Sequence, residues 1–191
     1  MGKMAGVRER ILKTAGDLFY REGVRAVGVD LIVEESGVAK TSLYRHFPSK
    51  DDLIAAFVER ENDEYWATWE EVASRHPGDA MGELEAQLAA IARHIVEPGY
   101  RGCPFLNVAN EFPERAHPAR VAASKNKPEL HRRLRALAER IGAPDPPGLA
   151  DQLVLLVDGA YANAALSGRK GPARSLLPAA RALIAAATNA P

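Results

Sequence analysis

The chain has 191 residues, 25 Lys/Arg against 25 Asp/Glu, and one cysteine. That length suits one large helical domain, or a small one joined to a larger one, with enough core to need no staples. A lone Cys103 cannot form an internal disulfide, no uncharged run approaches 18 residues and no basic-flanked apolar leader opens the sequence, so it reads as a reduced, cytoplasmic protein without membrane span or signal peptide.

The zero net charge hides an asymmetry. Residues 1–50 carry nine Lys/Arg and six Asp/Glu, residues 51–100 three and twelve, and residues 101–191 thirteen and seven. A mildly basic head precedes an acidic middle.

Taken in chain order, Ile11, Ala15, Leu18 and Phe19 recur at helical spacing, predicting an amphipathic helix from about Val7 to Glu22 that Gly23 stops. A second short helix runs to Glu35, with Gly28 as a tolerable N-cap and Asp30 near its positive end. Gly37 makes a turn, and a third helix spans Ala39–Phe47, in the stretch "GVAKTSLYRHF". Pro48 ends it. Ser49 caps a long fourth helix to about Arg75, roughly 40 Å at 1.5 Å per residue. Further helices fit Ala80–Val96, Phe105–Glu114, Pro118–Ile141, Leu149–Ser167 and Pro172–Ala187, with "GAPDPPG" (142–148) as a rigid connector. No strand pattern and no repeat occurs. The fold class is all-α.

On a wheel at about 100° per residue, Leu43 and Phe47 lie about 40° apart and define the inward side of the third helix. Arg45 is opposite, flanked by Thr41 and Ser42, with Tyr44 and His46 on the two edges and Lys40 in the first turn. The major groove of B-DNA admits one helix and displays acceptors such as guanine O6 and N7. Arg45 is placed to reach guanine, and Thr41 or Ser42 to meet phosphate, base edge or thymine methyl. Tyr44 and His46 stand where the phosphate walls would be, and Lys50 beside the N-terminus of the fourth helix can neutralise a phosphate. Two short helices joined by a glycine turn with this face form a helix-turn-helix. Packing of the small domain is a second role open to Tyr44.

The stretch Ile11–Leu53 closely resembles the DNA-binding domain of the tetracycline-repressor (TetR) family, through Leu18, Phe19, Gly23, Val29, Ile32, Gly37, Val38, Leu43, Tyr44, His46, Phe47, Lys50 and Leu53. The resemblance covers about a quarter of the chain. It implies an all-helical homodimer whose third helix enters the major groove of a palindromic operator in double-stranded DNA. By matched positions it implies DNA contacts from Lys40, Thr41, Ser42, Tyr44, Arg45, His46 and Lys50. The departure is at Val27-Gly28, where the family often has a hydroxyl; the backbone N–H of Gly28 is the expected substitute. On this reading residues 1–50 bind DNA and residues 51–191 bind an effector and dimerise.

The family commonly uses its C-terminal helices to hold a small molecule. Here Phe105, Leu106, Ala109 and Phe112 form an apolar stripe interrupted by Asn107, Asn110 and Glu111, the mixture a ligand pocket requires. Trp66 and Trp69, with Tyr65, offer a second wall. The expected effector-lining residues are therefore Trp66, Trp69, Cys103, Phe105, Leu106, Asn110 and Phe112. Core packing is an alternative for the aromatics, and capping or pairing within the fold for Asn110 or Glu111. Cys103 reads as a structural or pocket-lining thiol, with thiol sensing the other possibility. His94, Cys103, Glu111 and His117 have donor atoms but no recognised ligand spacing, so no metal and no cofactor is expected.

The last two helices, "LADQLVLLVDGAYANAALSG" and "PARSLLPAARALIAAATNA", are rich in Leu, Val and small residues and suit a homodimeric four-helix interface. Enzyme motifs are absent: "AKTS" lacks the phosphate-loop glycine before lysine, "SGRK" is a bare Ser-x-x-Lys, and no His-Glu-x-x-His occurs. The expectation is a DNA-binding repressor released by a small molecule of unspecified identity. A DNA-binding dimer controlled by a protein partner is the alternative.

Overall fold

The computed structural model describes residues 2–188, with backbone only for 2–5 and 169; residue 1 and residues 189–191, the ends of the two spans read from the sequence, lie outside the described residues. The elements are α1 (Gly2–Glu22), α2 (Val29–Ser36), α3 (Lys40–His46), α4 (Lys50–Ser74), α5 (Ala80–His94), α6 (Pro104–Glu111), α7 (Pro118–Ala123), α8 (Asn126–Arg140), α9 (Pro146–Ser167) and α10 (Leu176–Thr188). Two 3₁₀ turns, Gly168–Lys170 and Pro172–Ser175, lead into α10. Among the described residues there is no strand, and the all-α expectation stands.

Local chemistry explains most boundaries. Gly37 closes α2 in the left-handed region at φ 62°, ψ 28°, where a side chain would be strained. Ser49 and Asp52 form a reciprocal cap at the start of α4. The Asp52 N–H donates to Ser49 Oγ at 3.1 Å, and the Ser49 N–H to Asp52 Oδ2 at 3.0 Å. Asp79 caps α5 and Asp145 caps α9, each accepting from the N–H three residues on, at 2.8 and 3.0 Å.

Three expected spans are corrected. The helix read as Pro118–Ile141 is two, α7 and α8, with a turn at Ser124-Lys125. Pro128 has no N–H to continue an incoming helix and sits instead in the first turn of α8, where none is needed. α6 stops at Glu111 rather than Glu114, because Pro113 disfavours helical backbone at Phe112. The last helix begins at Leu176 rather than Pro172, after a 3₁₀ turn.

By packing, the chain forms two compact units. One contains residues up to Asp63 together with Pro104–Lys125; the other contains Glu64–Cys103 and Asn126 onward. The break lies inside α4, later in the chain than residue 50, and the 104–125 segment joins the first unit.

In the first unit α1, α2 and α3 pack on one another around Ile11, Ala15, Leu18, Phe19, Val27, Ile32, Leu43 and Phe47, all buried. Phe19 and Phe57 of α4 meet edge to face at 5.7 Å between centroids. Gly16 permits that approach, since a methyl there would strike the Arg60 guanidinium and come within 3.2 Å of the Phe57 ring. In the second unit α8, α9, α10 and α5 bury Leu84, Leu88, Leu130, Leu134, Leu153, Val157 and Ile184. Its buried Glu83 accepts from Arg140 at 2.7 Å, and Gln87 donates to the Trp69 carbonyl at 2.9 Å, so these polar groups are satisfied.

Candidate nucleic-acid interface

α3 is seven residues long and splits as its wheel predicts. Leu43 is 0% and Phe47 2% exposed, pinning the helix to the first unit. Thr41, Tyr44 and Arg45 are exposed, and Ser42 and His46 are half-buried at the edges. Tyr44 is 43% exposed, large for an aromatic ring, so packing alone does not account for it. Hydroxyls, a phenol and a guanidinium thus share one outward surface, short enough to lie along a groove. Arg8 of α1 places its guanidinium over the Phe47 ring at 5.0 Å, which adds a cation beside the end of α3 that the sequence reading did not name.

Gly28 is the N-cap of α2 in extended backbone, with no side-chain cap and open space where a Cβ would go. The lysines are engaged within the protein. Lys40 Nζ donates to Asp30 Oδ1 at 2.5 Å, and that hydrogen bond and charge hold Lys40 above the ordinary lysine range. Lys50 Nζ donates to the Arg25 carbonyl at 3.4 Å; burial pulls its pKa below the usual value, against the opposing charges of Asp51 and Glu111.

The turn that carries Arg25 is held from far along the chain. The Glu111 carboxylate accepts from the Val24 N–H at 3.1 Å and the Arg25 N–H at 2.8 Å, while the Arg25 guanidinium donates to the Glu111 carbonyl at 3.3 Å. Arg120 ties off the end of α6 by donating to the carbonyls of Ala109 and Phe112 at 2.8 and 2.7 Å. His117, stacked on Phe112 at 3.9 Å, sets Nε2 3.5 Å from Asp51 in the first turn of α4. Of the roles open to Glu111, the structure shows pairing within the fold, with the N–H groups of the turn at Val24-Arg25. The 86- and 87-residue separations explain why no local pattern shows this.

The described geometry agrees with known proteins. The pattern of the family described as "Bacterial regulatory proteins, tetR family" matches residues 11–57. A TetR-family transcriptional regulator from Streptomyces coelicolor is 32% identical, with a TM-score of 0.91 over 97% of each chain. The chain belongs to the TetR family. It is a DNA-binding transcriptional regulator by that membership, and the helix-turn-helix of α2 and α3 is the family's DNA-reading element. The HTH-type transcriptional regulator LmrA of Bacillus subtilis is 41% identical over 58 residues, 30% of this chain and 31% of that protein, so the match spans about a third of that relative. A TetR-family regulator from Agrobacterium tumefaciens, at 22% identity and a TM-score of 0.80, shares the fold over 95% of this chain and 97% of its own.

The residues of this TetR-family regulator read as effector-lining divide between the units. In the first, Phe105 and Phe112 are buried, Leu106 is half-buried and Asn110 is exposed. In the second, Trp66 and Trp69 meet edge to face at 5.9 Å, and the Arg133 guanidinium lies over them at 4.4 and 5.9 Å. Arg133 also pairs with Glu70 and, at 2.7 Å, with Glu129. The Arg132 hydrogen bond, with that of Arg133, holds Glu129 down at about 2. Cys103 is buried.

A cluster the sequence reading missed lies in the same unit. Tyr161 is buried with its ring stacked on Tyr100 at 6.5 Å and Lys127 Nζ 5.1 Å from its centroid; Lys127 also pairs with Asp158. Burial pushes the Tyr65 phenol up to about 12 and raises Tyr161 well above its ordinary value. Tyr161 was hidden because it sits in a helix read for its leucines and alanines. Among the described residues no group of three His, Cys, Asp or Glu side chains is placed to hold a metal, and no helix is long and apolar enough to cross a membrane.

Proposed function

We propose that this chain is a homodimeric, cytoplasmic repressor that reads a palindromic operator through α3 of each protomer and is released by a small organic effector. The observation that carries the DNA reading is the split of α3, with Leu43 and Phe47 buried and Thr41, Tyr44 and Arg45 outward. On this reading Arg45 meets a base edge, Thr41 and Ser42 meet base or phosphate, Tyr44, His46 and Lys50 meet the backbone, and the Gly28 N–H faces a phosphate. Lys40 and Lys50 would meet DNA from their positions beside Asp30 and the Arg25 carbonyl, each with further N–H donors to give.

Homodimerisation is supported by α9 and α10. Leu155 is 73% and Leu166 86% exposed, with exposed Gly159 and Ala162 between them at alternating spacings of four, three and four residues. Ala182, Ala185 and Ala186 of α10 are exposed as well. Leucines at that exposure suit a partner surface, and small residues let a second copy approach closely. DNA-binding residues 1–50 and effector-binding, dimerising residues 51–191 form the functional division in this proposal. Of the residues expected to line the effector, Trp66, Trp69 and Cys103 of the second unit carry the assignment, with Tyr65 and Tyr161 as added polar groups. Release follows when the effector favours a conformation in which the two α3 helices no longer match their half-sites.

The test is selection from a pool of random duplexes. An inverted repeat with half-sites about one helical turn apart is expected. Recovery of a single asymmetric site, or of none, would count against the dimeric reading.

A further inference from the structure

The DNA-reading surface carries a carboxylate. Asp30 lies in the first turn of α2 with its side chain 84% exposed, and its Oδ1 is 2.5 Å from Nζ of Lys40, itself 53% exposed in the first turn of α3. The pair therefore ties together the N-terminal turns of the two helices of the motif. Stability gives little reason for it. An exposed ion pair contributes little to stability, and the N-terminus of α2 would favour Asp30 with or without Lys40. At a surface that meets phosphates, a carboxylate costs affinity for DNA of every sequence.

We propose that Asp30 is a specificity-determining residue, which withholds the Lys40 charge from the phosphate backbone of arbitrary DNA. Non-specific binding is driven by cations that displace counterions from phosphates, whatever the sequence. A lysine already held by a carboxylate contributes little to that term, because Asp30 already compensates its charge and repels the approaching phosphate. A base edge changes the balance at one kind of site. Guanine O6 and N7 accept from Lys40, and the carboxylate left behind can accept from a cytosine N4 amino group. Pairing Lys40 with Asp30 thus lowers the background more than it lowers binding to the right sequence. This inference rests on α3 being the groove-entering helix.

The experiment measures anisotropy of a fluorescein-labelled 30-base-pair duplex of mixed sequence across a KCl series. It compares the full-length wild type, Asp30→Asn, Lys40→Gln and the double variant. Asp30→Asn should tighten binding by about eightfold per engaged protomer near 0.1 M salt, and steepen the slope of log K against log salt by about 0.9. In the Lys40→Gln background the same substitution should tighten binding by a clearly smaller factor, the part due to net charge alone. Random-duplex selection with Asp30→Asn should then enrich its best site less than the wild type does. Equal tightening in both backgrounds would mean that Asp30 acts only through net charge, and would overturn the proposal. So would an unchanged slope with the wild-type lysine present. Failure of the wild type to enrich any site would instead remove the DNA-face reading itself. Asp30→Asn should melt within about 2 °C of wild type, as expected of an exposed surface position.

Discussion

α3 and α9 each leave a face uncovered, and the two faces differ in kind. On α3 the exposed positions include Thr41, Tyr44 and Arg45 beside the Lys40–Asp30 pair; on α9 Leu155, Gly159, Ala162 and Leu166 form one exposed row. Both helices are anchored by buried aliphatic or aromatic residues on the other side, Leu43 and Phe47 in one, Leu153, Val157 and Tyr161 in the other. The anchoring chemistry is therefore the same. What distinguishes the partners is what each helix turns outward: donors and cations suit base edges and phosphates, whereas leucines flanked by small residues suit another protein surface that excludes water.

The largest effect should come from breaking the α9 face. Leu155→Glu with Leu166→Glu introduces four charges at a two-fold interface. The protein should sediment as a monomer at micromolar concentration, with its melting temperature as a folded monomer retained, and lose at least about 100-fold in affinity for its selected duplex, because two half-sites no longer act together. A dimer that persists in this variant would move the interface elsewhere.

Next comes Arg45→Ala, expected to weaken binding to the selected duplex by about 1–3 kcal/mol and to relax preference at one base position. If titration shows equal loss on selected and mixed-sequence duplexes, Arg45 touches phosphate only.

A comparable or slightly smaller cost, about 1–2 kcal/mol, is expected for Glu111→Ala in urea denaturation, since it strips the acceptor from the Val24 and Arg25 N–H groups. DNA affinity should fall along with it, because the turn that Glu111 holds leads directly into α2, the first helix of the helix-turn-helix. A variant with wild-type stability and weaker DNA binding would show that Glu111 acts on DNA by another route.

The smallest effect should follow Gly28→Ser. The site has open space for a Cβ, and a hydroxyl N-cap is worth a few tenths of a kcal/mol over glycine. A slightly raised urea midpoint and tighter operator binding are expected, restoring the hydroxyl that the family often has there. A lower midpoint would mean that the extended backbone of Gly28 does not accept a side chain.

Much of the fold was readable along the chain because its signals are local. Gly37, Pro48 and the Ser49–Asp52 cap set their boundaries through neighbours within three or four residues, so spacing alone reveals them. The inward pair Leu43 and Phe47 followed from helical geometry, and with it the outward assignment of Arg45. Where reading failed, two local signals competed or a partner was remote. The span at 118–141 has strong helix formers on both sides of Ser124-Lys125, and the break there, just before Pro128, was read through. Tyr161, among alanines, carried no pattern that marks a polar cluster with Tyr65, Tyr100 and Lys127.

Residue order alone settled the all-helical class, the helix-turn-helix and the two faces of α3, since each depends on periodicity, caps and turn glycines within a few residues. Three-dimensional packing settled the rest. It paired Glu111 with the turn at Val24-Arg25, set Arg133 on the tryptophans, joined Lys40 to Asp30 and left Leu155 and Leu166 uncovered. Those outcomes depend on which distant groups come within hydrogen-bonding or van der Waals reach, and neither periodicity nor composition encodes that distance.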